Sequence, residues 1–269
     1  MDWFWKALVT AGSVLMVMVL ARRCGRHTAG IVAALPTATA PALAWLAHDR
    51  GSAFAAEAAI ASVAACAMLA AFAVVHARVA RHRGVVTTLS CGIIGAAMFA
   101  EPVALASSTL LAAIALAVFS CMLALLCLPA SPRHALLPVR TPLVATALAA
   151  AGLGLLPVAA APLFGSFVSG LLASLPLISG AVAATEHAST GHVGVAHFLR
   201  GYVTGLLVRA SFCATFALLA VPVGWEMAGL VAALCAAGVG MVIHVVPMFR
   251  ARQHSPLAER PPFLRAPPP

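Results

Sequence analysis

Long apolar segments, separated by short polar or basic turns, run along almost the whole chain. A helix of about 20 apolar residues crosses the hydrocarbon core of a membrane. The pattern therefore predicts about nine membrane-spanning helices, at roughly 3–21, 28–47, 53–75, 84–100, 103–128, 142–161, 163–184, 197–220 and 224–247. Residues 84–128 would make a single helix about 67 Å long, so we place a boundary between two spans at Glu101-Pro102. We expect an all-α, polytopic membrane protein.

Composition excludes several other classes of protein. Hydrophobic residues make up 63% of the 269 residues and charged residues 9%, whereas a soluble domain has about 45–50% and about 25%. The net charge of +9 comes from short basic clusters between apolar segments, so we expect lipid and no nucleic acid as a partner. The seven cysteines form no CxxC pair, and the chain has no phosphate-binding loop, nucleophile elbow or HExxH motif. We therefore predict no metal site, no cofactor, no catalytic residues and no enzyme activity.

The arginines predict which ends of the spans face the cytoplasm. Nine spans put the N-terminus outside and the C-terminus inside. Lys6 and Arg50 are then the only Lys and Arg residues assigned to the outer side. The inner side carries Arg22, Arg23, Arg26, Arg78, Arg81, Arg83, Arg133, Arg140, Arg200, Arg250, Arg252, Arg260 and Arg265. This asymmetry follows the positive-inside rule. Residues 248–269 are basic and proline-rich, and we expect a disordered cytoplasmic tail there.

An internal repeat is the strongest sign of how the spans are organised. Five glycines of residues 1–100 meet a glycine at a shift of 140 residues: Gly12, Gly25, Gly30, Gly51 and Gly84 pair with Gly152, Gly165, Gly170, Gly191 and Gly224. Residues 1–100 would form one four-helix repeat and residues 142–247 a second, joined by a linker helix and an inner loop at 101–141. One unpaired helix between them inverts the second repeat across the membrane. Many secondary transporters have this architecture.

A Leu-Pro pair recurs within the repeat, near the middle of the second and seventh spans. Pro36 and Pro176 each remove a backbone N–H and displace the carbonyl four residues earlier, and lipid cannot satisfy these groups. Thr39 and Ser179 place a hydroxyl three residues after each proline. Either these are proline-kinked helices that pack through their hydroxyls, or they line a translocation cavity and bind substrate.

Arg209 is the single residue that points most clearly to a function. It lies about 16 Å into the eighth predicted span. An arginine at the centre of a helix costs at least about 2.5–3.5 kcal/mol to insert, so it is usually kept for a pathway or a partner. Arg209 either faces an aqueous cavity and attracts an anion, or pairs with a carboxylate such as Glu101 or Glu186, or snorkels to the interface.

The segment from Glu186 to His197 contains three histidines at a spacing of five, which does not place them on one face of a helix. A hydrated inner loop explains it better than a metal site. Glu186 and His197 remain candidates for proton coupling.

The first Leu-Pro segment also carries a resemblance. Its basic turn, its Gly…LP…Thr helix and its acidic turn resemble the core of the GlpM-like family of small bacterial inner-membrane proteins. The matching residues are Arg22, Arg23, Gly30, Leu35, Pro36, Thr39, Trp45, Asp49 and Gly51. The second copy keeps Gly170, Leu175, Pro176 and Ser179, but has Ser189 in place of Asp49. The resemblance implies a location in the bacterial inner membrane and, for some members, an association with exopolysaccharide production.

Three function classes remain open. The leading hypothesis is a secondary transporter or exporter of a small solute, an anion if Arg209 binds it, by alternating access. The alternative is a non-transporting membrane scaffold or assembly factor, in which Arg209 and both Leu-Pro segments are sealed in protein. The third is a membrane-embedded enzyme, for which the segment from Glu186 to His197 is the only candidate.

Overall fold

The fold is described from a computed structural model. It describes Trp5, Leu8, Val9, Gly12, Ile31, Leu35, Pro36 and residues 39–128, 143–174 and 177–253, with backbone alone for 143–154, 156, 177, 178, 181 and 244–253. The described helices of seven or more residues are α1 (Thr39–Arg50), α2 (Ser52–Ala64), α3 (Cys66–Val79), α4 (Val85–Ala97), α5 (Ala100–Ala106), α6 (Leu110–Cys127), α7 (Leu143–Leu172), α8 (Leu177–Val223) and α9 (Trp225–Gln253). The described residues contain no strand, which confirms the all-helical class.

Among the described residues, five helical segments are long and apolar enough to cross a membrane: Ser52–Val79, Val85–Ala106, Leu110–Cys127, Val182–Val223 and Trp225–Ile243. Each overlaps at least one of the predicted spans. A shorter apolar helix covers Pro157–Leu172. Most of the predicted span 3–21, part of 28–47 and most of the tail at 248–269 lie outside the described residues. The chain therefore has the helices of a membrane protein, and the count of nine stays a prediction.

The predicted boundary at Glu101-Pro102 is wrong. Both residues belong to α5, and the chain turns afterwards, at Ser107–Thr109. A proline in the first turn of a helix removes an N–H that has no partner within that helix, so Pro102 does not end the span. Thr109 instead marks the start of α6, because its hydroxyl accepts a hydrogen bond from the N–H of Ala112 at 3.3 Å.

Glycines with positive φ separate several helices. Gly51 lies between α1 and α2 (φ 91°, ψ 161°), and Gly191 interrupts α8 in a similar conformation (φ 70°, ψ −168°). Gly165 interrupts α7 (φ 75°, ψ −174°), a few residues after the predicted boundary between spans six and seven. Glycine adopts this conformation without the steric cost that a side chain would add. The chain can thus change helix direction at a single residue.

The expected inner loop from Glu186 to His197 is also wrong. Residues 177–190 and 192–223 are helical, and Gly191 alone separates them. Glu186 is 1% exposed and His197 is 8% exposed, so neither faces a hydrated loop. Hydropathy treats any polar segment as solvated and has no way to register that neighbouring helices cover it.

The span Ser52–Val79 forms the centre of the bundle. Within its most apolar stretch 78% of residues are buried, compared with 17% for Val85–Ala106 and 22% for Leu110–Cys127. The outer helices expose large apolar side chains, as helices in contact with lipid do. The central span is rich in alanine, which lets α7 approach closely. A Cβ placed on Gly170 would lie 2.1 Å from the carbonyl oxygen of Ala58.

Candidate functional site

The helix that carries the second Leu-Pro pair is broken in the middle. It stops at Leu172 and resumes at Leu177. The last N–H groups before the break still bond backward, from Ala173 to Ser169 and from Ser174 to Leu171, both at 2.9 Å. Pro176 itself lies outside the described residues. Ala173 and Ser174 thus form a turn between α7 and α8, so the two are not one continuous helix.

The carbonyl of Ala173 is the focus of the site. It accepts a hydrogen bond from Thr39 Oγ1 at 3.0 Å and another from Arg209 Nη2 at 2.9 Å. The sequence pointed to the carbonyl of Leu172, four residues before the proline; the one that receives these two bonds is a single residue later. A carbonyl oxygen has two lone pairs, so these two donors use its full capacity.

Thr39 connects this carbonyl to the first Leu-Pro pair. Leu35 and Pro36 are not helical, and α1 begins at Thr39. The carbonyl of Pro36 accepts from the N–H of Ala40 at 2.7 Å, which closes the first turn after the break. The hydroxyl three residues after one Leu-Pro pair thus bonds to the backbone three residues before the other proline. The two breaks meet directly.

Arg209 is buried, with 7% of its surface exposed. Its Nε has no hydrogen-bond partner in the described part of the chain, and no carboxylate of that part takes its charge. The pairings with Glu101 and Glu186 considered from the sequence are therefore not formed among the described residues. A guanidinium has five N–H donors. Most of them remain available, and an anion that reached this point would find a charged donor at membrane depth.

Ser179 has a different partner from Thr39. Its Oγ is 3.1 Å from the phenol oxygen of Tyr202, and both residues are buried. Sequence reasoning did not single out Tyr202. The signal was available, because it is the only tyrosine of the chain and it lies seven residues before Arg209, two turns away on the same helix.

A cavity of about 500 Å³ adjoins the first break. Pro36 and Leu35 line it together with Val208 and Phe212 of α8 and with small residues of α9, namely Ala233, Ala236, Ala237 and Gly240. Arg209 does not line it, although Val208 does. The cavity and the guanidinium therefore lie on neighbouring faces of the same helix.

The proton-coupling candidates lie on either side of Gly191. Glu186 and His197 are both helical and buried, and the described interactions join neither of them to Arg209. The backbone carbonyl of Glu186 accepts from the hydroxyl of Thr190 at 2.7 Å. Nowhere in the described residues do three His, Cys, Asp or Glu side chains come together as a metal site would require.

Sequence reasoning also missed a histidine pair, close to the end of α3 that carries Arg78. His76 is fully buried, and its ring meets that of His187 edge to face, with the centroids 6.1 Å apart. On its other side the ring lies 5.3 Å from that of Phe72. Neither ring nitrogen of His76 has a hydrogen-bond partner among the described residues. The polar pattern of the sequence gave no reason to expect these two helices to bring histidines together.

Comparison with protein-family models, curated proteins and solved structures finds no match for this chain. The resemblance to the GlpM-like family stays a prediction from the Leu-Pro motif.

Proposed function

We propose that this chain is a secondary transporter of a small anion in the bacterial inner membrane, working by alternating access between two inverted repeats. The observation that carries the proposal is the carbonyl of Ala173, which is bonded at once to Thr39 and to Arg209. It joins two broken helices and a buried charge at one point. Broken helices with charges at membrane depth are how many transporters build a substrate site.

Burial supports the repeat on which this proposal depends. On α4 and α9 the deeply buried positions occur at the same shift of 140 residues that relates the glycines: Thr88, Gly92 and Ala96 on one, and Ala228, Ala232 and Ala236 on the other. Gly51 and Gly191, also related by this shift, share their backbone conformation. Two helices of unrelated sequence would have no reason to bury residues at positions related by this same shift.

A contact at the centre of the bundle supports a twofold axis between the repeats. Cys66 Sγ lies 3.8 Å from the carbonyl oxygen of Leu206, and 206 − 66 = 140. In a twofold arrangement, two equivalent residues can touch only where the axis passes between them. The contact favours an axis between α3 and α8.

Contacts between helix ends support the grouping of those ends on two faces of the membrane, on which the proposed orientation depends. Ser166 Oγ donates to Glu57 Oε2 at 2.6 Å, and both residues belong to the predicted outer side. Arg200 Nη1 donates to the carbonyl of Leu128 at 2.9 Å, and both belong to the predicted inner side. Each contact joins residues that the arginine pattern assigns to the same face.

Arg209 makes the two conformational states of the proposed cycle unequal in free energy. Alternating access in inverted repeats exchanges the conformations of the two halves. The residue 140 positions before Arg209 is Leu69, which has no donor, so the bond to Ala173 has no equivalent in the exchanged state. An anion that binds the remaining donors of the guanidinium shares its charge with Ala173, and so weakens the bond that favours the present state. A ligand shifts a conformational equilibrium only through such a difference between states.

One observation favours the scaffold alternative. A scaffold predicts that Arg209 is sealed in protein, and its exposed fraction is only 7%. In a transporter the same burial belongs to one occluded state of a cycle, and the guanidinium must become accessible in another. Reactivity of a cysteine at this position therefore separates the two hypotheses. In a chain whose native cysteines are replaced, a scaffold keeps Arg209→Cys inert to a water-soluble thiol reagent under all conditions.

Transport itself is tested with the purified full chain in proteoliposomes on a solid-supported membrane. Concentration jumps of phosphate, acetate, lactate and citrate are applied, and the transient current is recorded. We expect a current for at least one anion and a loss of about 10–100-fold in apparent affinity in Arg209→Gln, because one charge-assisted contact contributes about 1.5–3 kcal/mol.

The control is Arg83→Gln, which removes an exposed arginine far from the site in sequence. It should leave the current unchanged. Currents that are absent for every anion, or equal in the wild type and Arg209→Gln, would contradict anion transport.

A further inference from the structure

A second cavity, of about 430 Å³, lies at the arginine-rich end of the bundle, where α3 and α6 both terminate. Ala77, Arg78, Arg81, His82 and Cys127 line it. Among the described residues, the lining thus contains two guanidinium groups and an imidazole, and no carboxylate. This cavity is separate from the cavity beside Pro36, and no step of the proposed transport uses it.

The basic side chains of this cavity are not needed to cap the helices that end there. Arg200 Nη1 donates to the carbonyls of Leu125 and Leu128, both at 2.9 Å, and so caps the end of α6. At the end of α3, backbone N–H groups of the turn serve the same purpose, since those of His82 and Arg83 both bond to the carbonyl of Val79 at 3.0 Å. The usual structural role of arginines at a helix C-terminus is therefore already filled.

The side chains of Arg78, Arg81 and His82 form no hydrogen bond with any described residue, and all three are exposed. Like charges that share a cavity repel one another, and no acid of the described lining balances them. Their donors are free to bind an external anion. A guanidinium matches a phosphate group particularly well, because its planar fork can make two parallel N–H···O bonds.

The position of the cavity specifies the anion further. It lies at the end of the span Ser52–Val79, the central helix of the bundle. The end of a membrane-spanning helix lies at the level of the polar headgroups, where lipid phosphates are concentrated. Basic residues at that level gain about 1 kcal/mol each from an anionic membrane surface.

We propose that this cavity is a phosphate-binding site, in which Arg78 and Arg81 hold a phosphate mono- or diester and His82 adds a third donor. Two sources can supply the group: the headgroup of an anionic phospholipid in the adjoining leaflet, or a soluble phosphate ester. The site does not depend on the transport proposal, because it shares no residue with the cluster around Ala173.

The lipid source is tested on the full chain, delipidated and then exposed to phosphatidylglycerol or phosphatidylcholine in mixed micelles. Native mass spectrometry counts the lipid retained by the wild type and by the double variant Arg78→Gln, Arg81→Gln. We expect the wild type to prefer phosphatidylglycerol and the double variant to bind it about 30-fold more weakly, as the loss of two such contacts implies. Arg83→Gln, an exposed neighbour that does not line the cavity, should bind like the wild type.

The soluble source is tested by titrating the same proteins with inorganic phosphate by calorimetry. Phosphate binding that needs Arg78 and Arg81, together with lipid retention that does not, assigns the site to a soluble ester. Equal weakening in Arg83→Gln would mean that general surface charge attracts the lipid, and would overturn the proposal. So would unchanged binding of both probes in the double variant.

If the double variant does not fold, Arg78→Lys and Arg81→Lys singly take its place. They keep the charge and remove the fork, and each should weaken phosphate binding several-fold. Wild-type binding in both lysine variants would overturn the arginine assignment.

Discussion

The shared carbonyl of Ala173 makes a quantitative prediction about Thr39 and Arg209. Both donate to the same oxygen, at 3.0 and 2.9 Å, from positions that are 1% and 7% exposed. Thr39→Val and Arg209→Met remove one donor each and keep much of the side-chain volume. The double variant removes both. The two substitutions are coupled, because each alone leaves the carbonyl with one of these two partners and together they leave it with neither.

The change in the free energy of unfolding in each variant follows from the interactions that the substitution removes. Thr39→Val loses a neutral hydrogen bond, about 0.5–1.5 kcal/mol. Arg209→Met loses a charge-assisted bond of about 1.5–3 kcal/mol, but it also relieves a buried charge that costs at least about 2.5–3.5 kcal/mol. We therefore expect Arg209→Met alone to be neutral or slightly stabilising. The double variant strands a buried carbonyl, which adds about 1–3 kcal/mol beyond the sum of the single changes.

The assay is reversible unfolding of the purified chain in mixed detergent micelles of increasing SDS fraction, followed by tryptophan fluorescence. The free energies of unfolding of the wild type, both single variants and the double variant close the cycle. A coupling below about 0.5 kcal/mol would refute the shared carbonyl. A loss of several kcal/mol in Arg209→Met alone would also refute the reasoning, because it would mean that the arginine is fully compensated where it lies.

Three further predictions use the same unfolding assay or a mass measurement. Gly170→Ala should lower the free energy of unfolding by about 1–3 kcal/mol or more, because its Cβ would lie 2.1 Å from a carbonyl oxygen of α2. The control is Gly229→Ala, whose Cβ would meet nothing within 4 Å and which should not destabilise the protein. Equal effects of the two substitutions would contradict the close approach of α7 to α2. Gly191→Ala should cost about 1–3 kcal/mol, since its φ of 70° is strained for any side chain, and a neutral result would argue against the break in α8. Leu206→Cys, in a chain whose only other cysteine is Cys66, should form an intramolecular disulfide on mild oxidation, seen as a loss of two hydrogens in the intact mass; persistent free thiols would place these positions apart.

The membrane class and the approximate positions of the described spans were predictable from hydropathy, because a helix must stay apolar for a fixed length to cross lipid. Boundaries were less predictable. Pro102 signals a helix end by composition, yet the first turn of α5 accommodates it. The polar residues around Glu186 signal a loop, yet the helix continues to Gly191. Local sequence describes what a segment prefers, and packing decided both cases.

The candidate site was partly predictable for a physical reason. Thr39, Pro36 and Arg209 stand out because polar groups and prolines at membrane depth are costly, and each was placed by the structure at or beside a helix break. The acceptor that unites them could not be found this way. It is a backbone carbonyl, and every residue has one, so Ala173 carries no signal in its side chain.

By itself, the sequence determined that this chain consists of apolar helices and that two Leu-Pro segments and one arginine interrupt the apolar pattern. These are properties of single segments, since each follows from the free energy of placing that segment in lipid. Only the tertiary structure decided that the breaks meet at Ala173, that α3 and α8 touch at Cys66 and Leu206, and that Arg78 and Arg81 share a cavity with no acid among its described lining residues. Those are distances between helices remote in the chain, and they depend on how small side chains let the helices approach.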